Sequence, residues 1–104
     1  KRREIETVRH EVAHSLYFMD EMYKAKVDDI LDRADPKALA VIRQALLDNM
    51  YDEAVIRDEQ HAYLGTNWTR YVLSTNPAKK LPLESIRQTI WELNLALEEA
   101  LGLF

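Results

Sequence analysis

LESIRQTIWELNLALEEAL, residues 83–101, sets Ile86, Ile90, Leu93, Leu97 and Leu101 at steps of three and four, the spacing that gathers side chains on one face of an α-helix. Such a stripe belongs in the core of a helical bundle, and Gly102 stands where a left-handed residue closes a helix. Working back along the chain, NPAKKLP, residues 76–82, is the clear loop, and NWTRYVLST before it is at most a short helical piece. Asp35-Pro36 marks a helix start, with the aspartate as cap and the proline where its missing N–H costs nothing, and that helix runs to about Asn49. Another runs from about Asp52 to near Gly65, whose left-handed freedom suits a helix end.

The first segment, about Arg3 to Met19, carries Ile5, Val8, Val12, Leu16 and Met19 as one apolar stripe, which is expected to face the core. Asp20-Glu21 either caps a second helix with Tyr23, Val27, Ile30 and Leu31 inward or lies within one continuous helix. Two glycines, three prolines and no convincing alternating strand make the chain all-α. The expectation is a compact bundle of about four to five helices forming one domain, residues 1–104.

The composition, 47% hydrophobic and 31% charged over 104 residues, is that of a soluble globular domain. A net charge of −4, with both signs interspersed, offers no basic stripe, so nucleic acid is not an expected partner. No apolar run approaches the roughly 18 residues of a membrane span. With no cysteine in the chain, disulfides and thiolate metal sites are excluded, and any metal must take nitrogen and oxygen ligands. The KRRE start, without methionine, favours a fragment of a longer protein.

One stretch carries chemistry. RHEVAHSLYF, residues 9–18, holds His10, Glu11 and His14 in the order His-Glu-x-x-His. Four residues is about one helical turn, so both imidazoles can present a nitrogen to one ion with Glu11 beside them. On a helical wheel the two histidines point away from the Val8-Val12-Leu16 face. The letters fit a zinc site, and they fit equally a polar helical face that happens to carry two histidines.

A third ligand separates the two readings, because catalytic zinc takes three protein ligands and leaves the fourth position to water. In IRDEQHAYLG, residues 56–65, Glu59 shares a helix face with Val55 and Ala62. A carboxylate aimed inward needs a cationic partner, and zinc on two histidines provides one. His61 lies about 200° around the helix from Glu59 and reads as a surface histidine, while Asp58, about 60° off the stripe, is a candidate acceptor for a histidine N–H and otherwise a solvated residue.

HEVAHSLYF followed some forty residues later by DEQHAYL resembles short bacterial gluzincin-type metallopeptidase domains, whose ligands are His-Glu-x-x-His plus a downstream glutamate. The resemblance covers about Arg9 to Leu64. It implies Zn²⁺ held by His10, His14 and Glu59, with Glu11 as general base, acting on a peptide or protein substrate. Tyr17, Tyr63 and His61 are candidate donors to a developing oxyanion. Zincin peptidases lay an extended substrate along a sheet edge before the active-site helix, and no such strand precedes Arg9. The chain is therefore expected to be the helical part of a zincin-like domain whose sheet lies upstream or is missing. The rival reading is a non-catalytic helical interaction module in which HEVAH is coincidental and apolar residues near Trp68, Tyr71 and Val72 receive a partner.

Overall fold

The computed structural model describes residues 2–67 and 83–102, and these are all-helical. Among the described residues the α-helices are α1 (Arg2–Met19), α2 (Glu21–Arg33), α3 (Pro36–Asp48), α4 (Ile56–Ala62) and α5 (Leu83–Ala100). A 3₁₀ turn, Glu53–Val55, leads into α4, and a π turn, Tyr63–Asn67, continues it. NWTRYVLST and NPAKKLP, with Trp68, Tyr71 and Val72, lie outside the described residues. Among the described residues there is no strand, and no helix is long and apolar enough to cross a membrane.

Short polar side chains set the breaks. Asp20 has extended backbone angles, and its carboxylate accepts from the Tyr23 N–H at 3.0 Å, so α1 and α2 are separate helices. Asp35 caps α3 in the same way through the Lys37 N–H, with Pro36 at the first turn. α3 ends in a Schellman arrangement: the Tyr51 N–H reaches the Leu46 carbonyl, the Met50 N–H reaches Leu47, and Met50 sits at φ 71. Asp52 then caps the 3₁₀ turn through the Ala54 N–H.

The core is built from Val27, Ile30 and Leu31 of α2, Ala38, Ile42 and Leu46 of α3, Ile56 and Ala62 of α4, Leu64, and Ile86, Leu93, Ala96 and Leu97 of α5. α2 packs on α5 and α1, α3 on α4, and the π turn on both α1 and α5. Ion pairs tie the elements at their rims: Lys26 to Glu99 at 2.6 Å, Arg33 to Glu92 at 3.3 Å, and Arg57 to Asp28 at 3.0 Å. The α5 stripe holds for Ile86, Leu93 and Leu97, with Ile90 half-buried and Leu101 exposed beyond the last turn.

Two expectations are corrected. The α1 stripe is not the core face: Ile5 and Val8 are each 61% exposed and Met19 is exposed, while Val12 and Leu16 are half-buried. The buried strip of α1 runs through His10 and Ala13, the latter 1% exposed, because α4 and the π turn pack there and supply partners for its polar groups. Gly65 does not end a helix in a left-handed conformation, since Gly102 is the one glycine with positive φ. It lies inside the π turn, packed against α5, where a side chain's Cβ would stand at an ordinary contact distance of 3.5 Å from Leu93 Cβ.

Candidate metal centre

α1 delivers His10 and His14 from successive turns, and α4 delivers Asp58 and Glu59 from its first turn. The two imidazoles meet with Nε2 atoms 3.0 Å apart. Glu59 Oε1 lies 3.2 Å from His14 Nε2 and 3.7 Å from His10 Nε2. The trio of His10, His14 and Glu59 can hold a metal ion, and the three expected ligands are thus brought to one point. Glu11 is on the exposed side of α1, outside this trio.

The spacing of the donors suits an ion, and the outer nitrogens of both rings have partners. Tetrahedral bonds of about 2.0–2.1 Å hold neighbouring donors about 3.3–3.4 Å apart, and the three separations here average about 3.3 Å. Two imidazoles with one carboxylate make a mixed nitrogen and oxygen donor set, unlike the all-oxygen shells that calcium and magnesium prefer. Each ring nitrogen away from the trio is occupied. His10 Nδ1–H donates to Thr66 Oγ1 at 3.1 Å, and the Thr66 hydroxyl donates on to the Ala62 carbonyl. His14 Nδ1 lies 2.9 Å from Asp58 Oδ1. An outer partner of this kind fixes which nitrogen of a histidine is free to ligate.

Glu59 Oε1 and Asp58 Oδ1 are shut off from solvent without a well-directed hydrogen bond, although cationic nitrogens stand close by. A buried carboxylate oxygen in that condition is costly, and an ion at the shared point would satisfy Glu59. The electrostatics follow the contacts. Asp58 and Glu59 together push His14 up to about 10. Burial would raise both acids, but His14 and His61 outweigh it at Asp58, and His10 and His14 do so at Glu59, holding each at about 2. At neutral pH the metal-free centre therefore carries a His14 imidazolium clasped between two carboxylates.

His61 is corrected from a surface residue to one of the most buried among the described residues, at 1% exposure. Its Nδ1–H donates to the Asp58 carbonyl oxygen at 2.6 Å, and its Nε2 accepts from the Tyr23 hydroxyl at 3.1 Å. Both nitrogens are thereby turned away from the metal trio. Tyr17 stacks on the same ring at 4.8 Å and gives its hydroxyl to Asp28, so neither Tyr17 nor His61 faces the trio as an oxyanion donor. The Tyr63 ring packs 4.5 Å from His10, and its hydroxyl is 2.6 Å from that of Tyr51. Asp58, anticipated as an acceptor for a histidine, does stand against His14.

Sequence reasoning did not identify Thr66 or Tyr23 as parts of the site. Thr66 is seven residues past Glu59, a spacing of about two helical turns, so extending the helix through Gly65 would have drawn it in. Nothing in the sequence marks Tyr23 as more than a core residue. No family model, curated protein or solved structure matches the chain, and the reading of the site rests on its geometry.

Proposed function

We propose that the chain is a zinc-dependent hydrolase of peptide bonds, in which His10, His14 and Glu59 hold the metal and Glu11 is the general base. The observation that supports this reading is the convergence of two Nε2 atoms and one carboxylate oxygen from two helices, with a spacing that suits a tetrahedral ion. Bound zinc supplies Lewis acidity, lowering the pKa of water and polarising a carbonyl. The Glu11 carboxylate, one residue past His10 and open to solvent, takes a proton from the attacking water and returns it to the leaving amine nitrogen. Asp58 and Thr66 keep the two imidazoles turned with Nε2 toward the ion.

The decisive experiment pairs elemental mass spectrometry of untagged protein with cleavage of a fluorogenic peptide library. The parent is expected to carry near-stoichiometric zinc and to cleave. Glu11→Gln should keep the zinc and lose roughly 10²–10⁴-fold in rate. Cleavage by Glu11→Gln at the parent's rate would remove the assigned base, and a parent that takes up no zinc from excess metal would remove the reading altogether.

A non-catalytic interaction module is favoured by one observation, the exposure of Phe18, Met19 and Met22 at the corner between α1 and α2. It leaves the convergence of His10, His14 and Glu59 without a purpose, and it forecasts no change in any measurable activity on Glu11→Gln.

A further inference from the structure

We propose that His61 is a positioning residue of the metal centre, fixing Asp58 against His14 so that His14 Nε2 is aimed at the shared donor point. The inference rests on the metal-binding reading above. A histidine buried to 1% exposure is an expensive way to fill a core unless its nitrogens have work there, since phenylalanine or leucine would fill similar space without desolvating polar atoms. Here both nitrogens are directed. Nε2 takes the Tyr23 hydroxyl from α2, and Nδ1 faces Asp58 twice, 2.6 Å from its carbonyl oxygen and 3.2 Å from Oδ1.

Asp58, whose backbone carbonyl takes the His61 Nδ1–H, has its Oδ1 lying between two imidazoles, His61 at 3.2 Å on one side and His14 at 2.9 Å on the other. The ring of His61 cannot swing freely, because Tyr17 stacks on it with 26° between planes and is itself tied to Asp28, which Arg57 also grips. A continuous polar chain of Tyr23, His61, Asp58 and His14 therefore crosses from α2 through α4 to α1, ending at a ligand. Outer partners of this kind set the orientation of a ligating imidazole, and their loss weakens metal binding. The bland alternative is a core histidine that stabilises the fold and has no influence on the metal.

The test measures zinc affinity by chelator competition, and the visible spectrum with cobalt in place of zinc, on proteins shown by circular dichroism to be folded. His61→Phe keeps the stack on Tyr17 and is expected to bind zinc about 10–100-fold more weakly, with an altered cobalt spectrum. His61→Asn, whose amide N–H falls near the position of Nδ1, should restore affinity to within about threefold of the parent. Tyr23→Phe removes one hydroxyl and should weaken binding by at least about threefold; it decides the matter if His61→Phe does not fold. Folded variants that bind zinc like the parent overturn this inference alone, whereas a parent that binds no zinc overturns the metal-site reading and this inference with it.

Discussion

His10 Nε2 and His14 Nε2 stand 3.0 Å apart on successive turns of α1. With His10 Nδ1–H given to Thr66 and His14 Nδ1–H facing Asp58, the imidazolium form of His14 carries its second proton on Nε2, in the space shared with His10 Nε2 and Glu59 Oε1. That proton occupies the position where the proposed ion would bind, so metal and proton compete for one place.

Zinc binding at neutral pH is therefore expected to release about one proton, and the apparent affinity should rise about tenfold per pH unit from about pH 7 toward the His14 value of about 10. Titration calorimetry in buffers of different ionisation enthalpy reads the proton directly. An enthalpy independent of the buffer would contradict this exchange.

The same contacts give the metal-free protein a stability optimum. His14 has a folded value near 10, above its ordinary 6.5, so its contribution is complete below about 6.5 and is lost as pH rises through about 10. Asp58 and Glu59, held at about 2 from ordinary values of 3.8 and 4.5, contribute above about 4.5 and lose that contribution as pH falls toward 2. Urea midpoints of the metal-free protein should peak between about pH 4.5 and 6.5. Replacing His14 with asparagine should flatten the alkaline limb and also shallow the fall toward acid, because His14 helps hold both carboxylates down.

Removing a ligand should separate binding from folding. His14→Ala and Glu59→Ala are each expected to lower zinc affinity by more than about 100-fold, beyond what loss of an outer partner costs, because one of three protein ligands is gone. Elemental analysis after dialysis against a weak chelator checks this. Retention of the parent's zinc by either variant would show that the ion sits elsewhere.

Which face of α1 is buried can be read from stability alone. Val8→Ser and Ile5→Ser, at exposed positions, should change unfolding free energy by no more than about 0.5 kcal/mol. Ala13→Leu, at a position 1% exposed, should destabilise by about 1–3 kcal/mol through overpacking. The reverse ordering in chemical denaturation would restore the apolar stripe as the core face.

Three backbone positions make opposite forecasts. Gly65→Ala places a methyl at ordinary contact distance from Leu93 in a helical conformation, and should be neutral or stabilise by up to about 1 kcal/mol. Gly102→Ala forces an L-residue to φ 76 and should cost about 1–2 kcal/mol. Met50→Gly relieves a non-glycine residue at φ 71 and should stabilise by about 1 kcal/mol. Thermal melts of the three variants would show the pattern, and equal losses at all three would refute it.

Helix starts and the α5 core were legible because their causes are local. Asp35-Pro36 acts on the next turn of backbone, and the apolar strip of α5 is also its buried strip; the break at Asp20, which the sequence left open, is closed by the Asp20 cap on Tyr23. α1 defeated the same reasoning. A period of 3.6 says which residues share a strip, but which strip is buried depends on what packs against it, and here the buried strip is partly polar.

The sequence by itself determined the all-helical class, the pairing of His10 with His14 one turn apart, and the inward carboxylate of Glu59, since each follows from spacing along a single helix. Only the tertiary structure decided that α4 crosses α1 at the histidines, that His61 is buried behind Asp58, and that Thr66 reaches His10 from a π turn. Those contacts join residues up to 56 positions apart, and no local propensity encodes them. They arise when the helices pack so that each buried polar group finds a partner.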